Sequence, residues 1–205
     1  MIALFYGMPG MGKTTAMHDY IRASPSQTFF IVEHSDEWSP ESVMWRGQAP
    51  PIQVIQAGQD MPEQVEPGMS YVFAGWEPID VANLCLHYGD VVYVDDELDM
   101  TARRKGWEGS PLRHMVHRGR HYPNAQGEIC TLHILGACRR PQNLSTDVTD
   151  LVDQVFIFRC QGRNTLGRLE ADSMVEDGEW DTIRNLQKFH FKHWPSGRLM
   201  SAEPL

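Results

Sequence analysis

Several features that would assign the chain to common protein classes are missing from its sequence. No apolar run approaches the ~18 residues that a membrane-spanning helix needs, so we expect no membrane insertion. The opening residues, MIALFYGMPG, contain no basic leader, and we expect no signal peptide. The four cysteines form no C-x-x-C pair and lie in or near apolar runs, which indicates buried, reduced thiols rather than a disulfide scaffold. The absence of an N-K-x-D motif argues against a guanine-specific GTPase.

Basic residues are fewer than acidic ones. There are 18 lysines and arginines against 27 acidic residues, and the resulting net charge of −9 argues against a general nucleic-acid coat protein. Residues 101–121 reverse this balance, with six basic side chains and one acidic one. Such a segment on an acidic body predicts a confined contact with a polyanion, namely DNA, RNA or nucleotide phosphate. The alternative is a solvated charged stretch.

The 205 residues are 41% apolar and 22% charged, which is typical of a globular protein, and we expect one domain spanning residues 1–205. The segments with strand character are Ile2–Tyr6, Thr28–Glu33, Pro51–Gln56, Ser70–Ala74, Val91–Val94, Ile129–Cys138 and Gln154–Arg159. Those with helical character are Lys13–Ala23, Ile79–His87, Ser110–Val116 and Thr165–Met174. This alternation predicts an α/β fold in which helices flank a central, mostly parallel sheet. Lys188–Trp194 and Gly197–Met200 predict a small C-terminal hairpin.

Residues 7–14 read G-M-P-G-M-G-K-T, a complete phosphate-binding loop (P-loop) between an apolar strand and a helix. Glycines let backbone N–H groups wrap a phosphate closely, and the helix that follows directs its positive end at the same phosphate. Lys13 would reach the β and γ oxygens of ATP, and the Thr14 hydroxyl would bind Mg²⁺. The predicted nucleotide-binding residues are Gly7, Pro9, Gly10, Met11, Gly12, Lys13, Thr14 and Thr15.

A second signal is the apolar run Val91–Val94, which ends in three acidic residues, Asp95, Asp96 and Glu97. This is the Walker B arrangement, in which one carboxylate holds the Mg²⁺ shell and a neighbouring one activates the attacking water. Either Asp95 or Asp96 could serve Mg²⁺. We favour Asp96 and Glu97 as the functional pair, with Glu97 as the water activator. An Asp-Glu pair points to hydrolysis, because kinases that transfer phosphate to a substrate do not need a water-activating glutamate.

Basic residues follow the acids. Arg118 and Arg120 are candidates for an arginine finger that reaches the γ-phosphate of a neighbouring subunit, with surface charge as the alternative. The strand that ends at Cys138 is followed by three candidate phosphate sensors, Arg139, Arg140 and Gln142, unless that loop only ends the strand. The basic run of Arg103, Arg104 and Lys105 is the candidate contact for double-stranded DNA.

The order of these motifs resembles the FtsK–HerA superfamily of P-loop ATPases. It comprises the P-loop, the Asp-Asp-Glu strand end, H-R-G-R-H at residues 117–121, a strand ending in R-R-P-Q-N-L-S, and V-F-I-F-R. The small size looks most like the genome-packaging ATPases of membrane-containing icosahedral viruses. The chain departs from the family at Arg139, where a glutamine sensor is common.

The resemblance implies a RecA-like fold that binds ATP and Mg²⁺ between the subunits of a ring, a hexamer in the family's manner. Such a ring would move double-stranded DNA into a preformed capsid. It would act in the host cytoplasm or at the packaging vertex of the virion, with the capsid vertex as a partner. Asp96 and Glu97 would take the Walker B roles, and Arg118 or Arg120 the role of the finger.

The P-loop is also compatible with three other functions. A small nucleotide or metabolite kinase would account for the size and the P-loop but not for Glu97 or the arginines. A phage assembly ATPase that does not act on DNA would share the nucleotide core, although such proteins are usually membrane-anchored. A nucleotide-gated binding module that hydrolyses little is the third alternative.

Overall fold

A computed structural model gives the fold of residues 1–42, 45, 49–103, 107–119, 121–176 and 178–202. The strands are β1 (Ile2–Tyr6), β2 (Thr28–Glu33), β3 (Ile52–Gln56), β4 (Ser70–Ala74), β5 (Val91–Asp95), β6 (Tyr122–Pro123), β7 (Ile129–Cys130), β8 (His133–Cys138), β9 (Gln154–Phe158), β10 (His190–Trp194) and β11 (Arg198–Ser201). The helices are α1 (Lys13–Arg22), α2 (Pro78–Tyr88), α3 (Leu98–Thr101), α4 (Pro111–Arg118), α5 (Thr146–Asp150), α6 (Arg163–Ala171) and α7 (Trp180–Arg184).

Nine of the strands form one sheet in the order β11-β10-β9-β1-β8-β5-β2-β4-β3. The seven strands from β9 to β3 run parallel, while β10 pairs antiparallel with both β9 and β11. The α/β fold class, the mostly parallel sheet and the C-terminal hairpin predicted from the sequence are confirmed. Because parallel strands share one carboxyl edge, the residues that follow β1, β5, β8 and β9 lie at the same edge of the sheet.

Apolar layers cover both faces of the sheet, which explains why its central strands read as continuous apolar runs. In β5 the side chains of Val91 and Tyr93 enter the layer that contains residues of α2, α4 and α6. Val92 and Val94 point the other way, into the layer built on α1. All four cysteines are buried and free, as predicted. Among the residues that the structure describes, no helix is long and apolar enough to cross a membrane.

The prediction of a single strand over Ile129–Cys138 is wrong. The structure divides it into β7, which pairs with β6 in a separate two-stranded sheet, and β8, which enters the main sheet. The break occurs where Thr131 N–H donates to Asp90 Oδ1 (2.7 Å) and Leu132 N–H donates to the Gly119 carbonyl (2.6 Å). These bonds use the donors that a continuous strand would offer to its neighbour.

The helix predicted over Thr165–Met174 is also displaced. In the structure α6 ends at Ala171, and Ser173 takes a left-handed φ of 57°, which is incompatible with a continuing helix.

Gly136 in β8 sets how closely the segment after β5 can approach the sheet. It pairs with Asp95, and a Cβ at this position would lie 2.3 Å from Leu98 Cδ2 and 3.1 Å from Leu98 Cβ. Leu98 is buried and begins α3. The missing side chain therefore lets Leu98 pack against the sheet directly after the acidic residues.

We expect Gly136→Ala to lower the free energy of unfolding by about 1–3 kcal/mol, because the new methyl group overpacks against Leu98. Urea denaturation would measure the loss. Gly167→Ala in α6 is the matched control, since a Cβ there meets nothing within 4 Å and alanine favours a helix by about 0.5–1 kcal/mol. Equal stability of Gly136→Ala and the wild type would contradict this account of the packing.

Candidate active site

The P-loop is fixed at both sides by the strands next to β1. Gly7 N–H donates to the carbonyl of Cys138 at the end of β8 (3.2 Å), and Met8 N–H donates to the carbonyl of Arg159 after β9 (3.0 Å). Gly10 and Gly12 have φ values of 72° and 98°, which residues with a side chain rarely adopt. The loop thus has the backbone that its sequence predicts, and it leads directly into α1.

Lys13 is buried at the base of this loop. Its Nζ donates to the carbonyls of Gly7 (2.9 Å) and Met8 (3.1 Å). Burial lowers the pKa of Lys13, and the nearby Arg139 guanidinium lowers it further. A cavity of about 210 Å³ opens over the loop and is lined by Gly10, Gly12, Lys13, Thr14, Thr15, Glu37, Lys188 and Phe189. Three cations, Lys13, Arg139 and Lys188, lie close to the loop against the single carboxylate of Glu37, and they favour an anionic ligand there.

Asp95 is the last residue of β5 and is fully buried. Its Oδ1 bonds to His34 Nε2 (3.0 Å) and accepts from Glu97 N–H (2.9 Å). Its Oδ2 accepts from the Tyr93 hydroxyl (3.0 Å). The carboxylate of Asp95 is therefore well supplied with partners, and it fixes the turn that carries the next two acids.

Asp96 is the contrasting case. Its Oδ1 is buried and has no hydrogen-bond partner among the described residues. Burial raises the pKa of Asp96 to about 7, and the carboxylates of Asp95, Glu37 and Glu97 contribute to the rise, while His34 opposes it. Ligand atoms of His34, Asp95 and Asp96 lie within 4.8 Å of one another. An unpaired carboxylate oxygen in an acidic cluster is a ligand that suits Mg²⁺, and the residues present fit that ion.

The loop after β2 brings His34 and Glu37 to the site. Glu33 Oε1 accepts from Ser35 N–H (2.8 Å) and Oε2 from Trp38 N–H (2.9 Å), which closes the loop into a compact turn. The Trp38 ring stacks on His18 of α1, with ring centroids 4.2 Å apart. This packing explains why Glu37 lies beside the P-loop helix. The hydrogen bond with Asp95 raises the pKa of His34.

Glu97 makes an ion pair with Arg139, whose Nη2 lies 2.6 Å from Glu97 Oε1. Both side chains are partly exposed, at 53% for Arg139 and 32% for Glu97, so the pair can open at little energetic cost. The backbone N–H of Arg139 donates to Asp99 Oδ1 (3.2 Å). Asp99 is buried, and this burial raises its pKa. It anchors the segment after β8 to the segment after β5.

Comparison with known proteins adds information on the fold. No protein-family model and no curated protein sequence matches the chain. Solved structures do match it, namely those of the genome packaging NTPase B204 from Sulfolobus turreted icosahedral virus 2. The complex with sulfate has a TM-score of 0.68 at 16% identity and covers 100% of this chain and 96% of B204. The complex with ATP-gammaS has a TM-score of 0.69 at 16% identity, with coverages of 99% and 96%.

A third match is B204, the DNA-packaging ATPase from Sulfolobus turreted icosahedral virus, with a TM-score of 0.67, 15% identity, and coverages of 100% and 97%. The chain has the fold of a viral genome-packaging NTPase. The resemblance predicted from the motifs is confirmed at this level. At 15–16% identity, the similarity establishes the fold but not the activity.

The fold brings some of the sequence-predicted residues together and separates others. Glu97 and Arg139 line a second cavity of about 330 Å³ with Asp99, Met100, Arg103, Arg140 and Asn143. Of the three candidate sensors, Arg139 contacts Glu97 and Arg140 also lines this cavity, whereas Gln142 is exposed and is not among the lining residues. Arg103, the candidate DNA contact, thus lies beside Glu97. Its partners Arg104 and Lys105 fall outside the described residues.

Within one subunit, Arg118 lies far from the edge of the sheet that carries the P-loop. It lines a cavity of about 450 Å³ with Met1 and Ile2, at the start of β1, and therefore at the end of the strands opposite to the P-loop. Arg120 falls outside the described residues. Contact of Arg118 with a nucleotide would have to involve another subunit, which is what a finger in trans requires. That role stays a prediction.

Several residues at the site were not predicted from the sequence. Those with polar or aromatic chemistry that could serve a nucleotide include His34, Glu37, Asp99, Lys188 and Phe189. A signal existed for His34, because it directly follows a strand whose neighbour in the sheet ends in Asp95. Lys188 and Phe189 carried no such signal, since they lie almost at the other end of the sequence from the P-loop.

The raised pKa of Asp96 predicts how stability depends on pH without metal. Between pH ~4, the pKa range of an unfolded aspartate, and about 7, the folded chain holds a proton that the unfolded chain has lost, so stability falls as pH rises through this window. We expect Asp96→Asn to reduce this fall, which is on the order of a few kcal/mol. Urea denaturation at pH 5 and pH 8 in chelator would measure it.

Asp95→Asn is the control for this experiment. An amide offers one acceptor oxygen where the Asp95 carboxylate offers two, so we expect this variant to lose stability at both pH values. A wild-type pH dependence in Asp96→Asn would show that Asp96 is not the group responsible.

Proposed function

We propose that the chain is an ATP-hydrolysing motor that moves viral double-stranded DNA into a preformed capsid. The observation that carries the proposal is the meeting of three groups at one edge of the sheet. These are the P-loop with buried Lys13, the carboxylate of Asp96 with its unpaired oxygen, and the Glu97–Arg139 ion pair. The whole-chain match to B204, a genome packaging NTPase, supports the packaging role.

ATP would bind with its phosphates in the P-loop. Backbone N–H groups of residues 10–14 would hold the phosphate oxygens, and Lys13 would exchange its carbonyl partners for the β and γ oxygens. Thr14 and Asp96 would hold Mg²⁺, while Asp95 orients the turn through its three hydrogen bonds. When bound, Mg²⁺ neutralises charge on the phosphates and on the acidic cluster.

Hydrolysis needs a water activated beside the γ-phosphate, and Glu97 is the group proposed to accept its proton. Arg139 holds the Glu97 carboxylate in the ion pair. A γ-phosphate close to the site would compete for the guanidinium, because Arg139 is near enough to lower the pKa of Lys13. Release of Glu97 would then follow the arrival of ATP, and Arg139 would act as the phosphate sensor that the family usually provides as glutamine.

The DNA contact is proposed on the basic segment that contains Arg103, Arg104 and Lys105. Arg103 lines the cavity of Glu97 and Arg139, so a phosphate backbone held there would be next to the hydrolytic groups. A translocating motor should bind the DNA backbone without reading its sequence. We propose a homo-oligomeric ring, a hexamer, at the capsid vertex, in the virion or the host cytoplasm, with residues 1–205 as its ATPase domain.

Steady-state ATPase activity with and without double-stranded DNA tests the proposal. We expect DNA to stimulate the wild type, and Glu97→Gln to bind ATP but lose turnover by about 100-fold or more, the effect of removing a general base. Lys13→Ala should fall to background, because it loses the phosphate contact. Glu63→Gln, in an exposed loop, is the matched control and should behave as the wild type. Turnover that ignores DNA, or that survives in Glu97→Gln, would defeat the motor assignment.

The finger in trans has its own test. We expect Arg118→Ala or Arg120→Ala to bind ATP normally but to lose about 1,000-fold in turnover in the assembled state, as for other trans arginines. Arg198→Ala, in the exposed strand β11, is the control. Normal hydrolysis by both finger variants in the ring would place the finger elsewhere.

A further inference from the structure

The segment before β10 forms one wall of the P-loop cavity. Lys188 and Phe189 line this cavity together with Gly12, Thr14 and Thr15. None of the motifs of the chain includes these two residues.

Phe189 is held against the P-loop by its backbone and its ring. Its N–H donates to the carbonyl of Met11 (2.9 Å), and its own carbonyl accepts from Ala202 N–H after β11 (2.7 Å). Its φ of 65° is unusual for an aromatic residue, so the surroundings impose this conformation. A Cβ on Gly12 would lie 2.4 Å from Phe189 Cδ1, which shows that the ring rests on the loop at a position that only glycine permits.

The sheet order indicates which part of a bound nucleotide would meet this wall. Glu97 and Arg139 follow β5 and β8, on one side of β1, and mark the γ-phosphate end of the site. Phe189 precedes β10, on the other side of β1, beyond β9. A triphosphate that extends from the P-loop toward Glu97 therefore leaves its nucleoside on the side of Phe189.

The chemistry of the Phe189 ring fits a nucleoside better than a phosphate. An aromatic ring offers nothing to a phosphate oxygen but stacks well on a base. The Nζ of Lys188 lies 4.8 Å from the centroid of this ring, and its side chain is exposed, so a base can displace it.

We propose that Phe189 is the stacking surface for the base of the bound nucleoside triphosphate. The inference rests on the proposed nucleotide binding and adds to it the residue that holds the nucleoside. Stacking tolerates any base, so Phe189 should contribute to ATP and GTP affinity by the same factor.

The test compares two ligands that differ in the nucleoside. Isothermal titration calorimetry with Mg²⁺ would measure ATPγS and inorganic tripolyphosphate binding to the full chain. We expect Phe189→Leu to weaken ATPγS binding about ten-fold and GTPγS binding equally, while tripolyphosphate binding stays unchanged. Phe189→Tyr keeps the ring and should restore ATPγS affinity. Leu199→Ala is the control, an exposed apolar residue of the same hairpin outside the cavity.

The outcomes separate the inference from the proposed function. Equal losses for ATPγS and tripolyphosphate would mean that Phe189 only supports the P-loop, and no loss for ATPγS would overturn the inference directly. A wild type that binds neither ligand would overturn nucleotide binding itself. Photolabelling of the wild type with 8-azido-ATP is independent of any variant. It should modify residues at or next to Phe189, and label confined to other segments would count against the stacking role.

Discussion

The position of β1 between β8 and β9 is the constraint on which the rest of the site depends. Two backbone hydrogen bonds, from Gly7 to Cys138 and from Met8 to Arg159, tie the P-loop to the ends of both neighbouring strands. The groups on either side then follow from the sheet order, with Glu97 and Arg139 on the β8 side and Phe189 on the β9 side. A ligand bound in the loop would be contacted on two sides by segments that are far apart in sequence.

The site also holds buried ionisable groups of both signs, and burial shifts their pKa values in opposite directions. Lys13 is buried, and its pKa is lowered by that burial, while burial raises the pKa values of Asp96 and Asp99. Such opposed shifts cluster where proteins bind or transform charged ligands. A polyphosphate would place negative charge beside Lys13, and a divalent cation would place positive charge beside Asp96, whose Oδ1 has no hydrogen-bond partner among the described residues. Asp95 already has three hydrogen-bond partners, which is why the proposed Mg²⁺ ligand is Asp96.

What the sequence could predict was local. The P-loop is one continuous segment, and its strand and helix flank it, so residues 7–14 carried the whole signal. The acidic turn and Arg139 were found because parallel strands end at one edge. Contacts made across the fold could not be predicted in this way. Phe189 meets Met11 only because β10 adds to the sheet beyond β9, and the strand over Ile129–Cys138 is broken by bonds to Asp90 and Gly119.

The central place of β1 has a consequence for how the protein is made. Ile2 pairs with Ile134, and Ala3 pairs with Gln154, so the strand that leads into the P-loop has no partners in the sheet until those later residues have left the ribosome. Phe189 reaches the loop later still. Long-range pairing of this kind slows folding, and a partly synthesised chain exposes the apolar side chains of β1 in the meantime. The two hydrogen bonds that fix the P-loop to Cys138 and Arg159 can therefore form only after residue 159 has been translated.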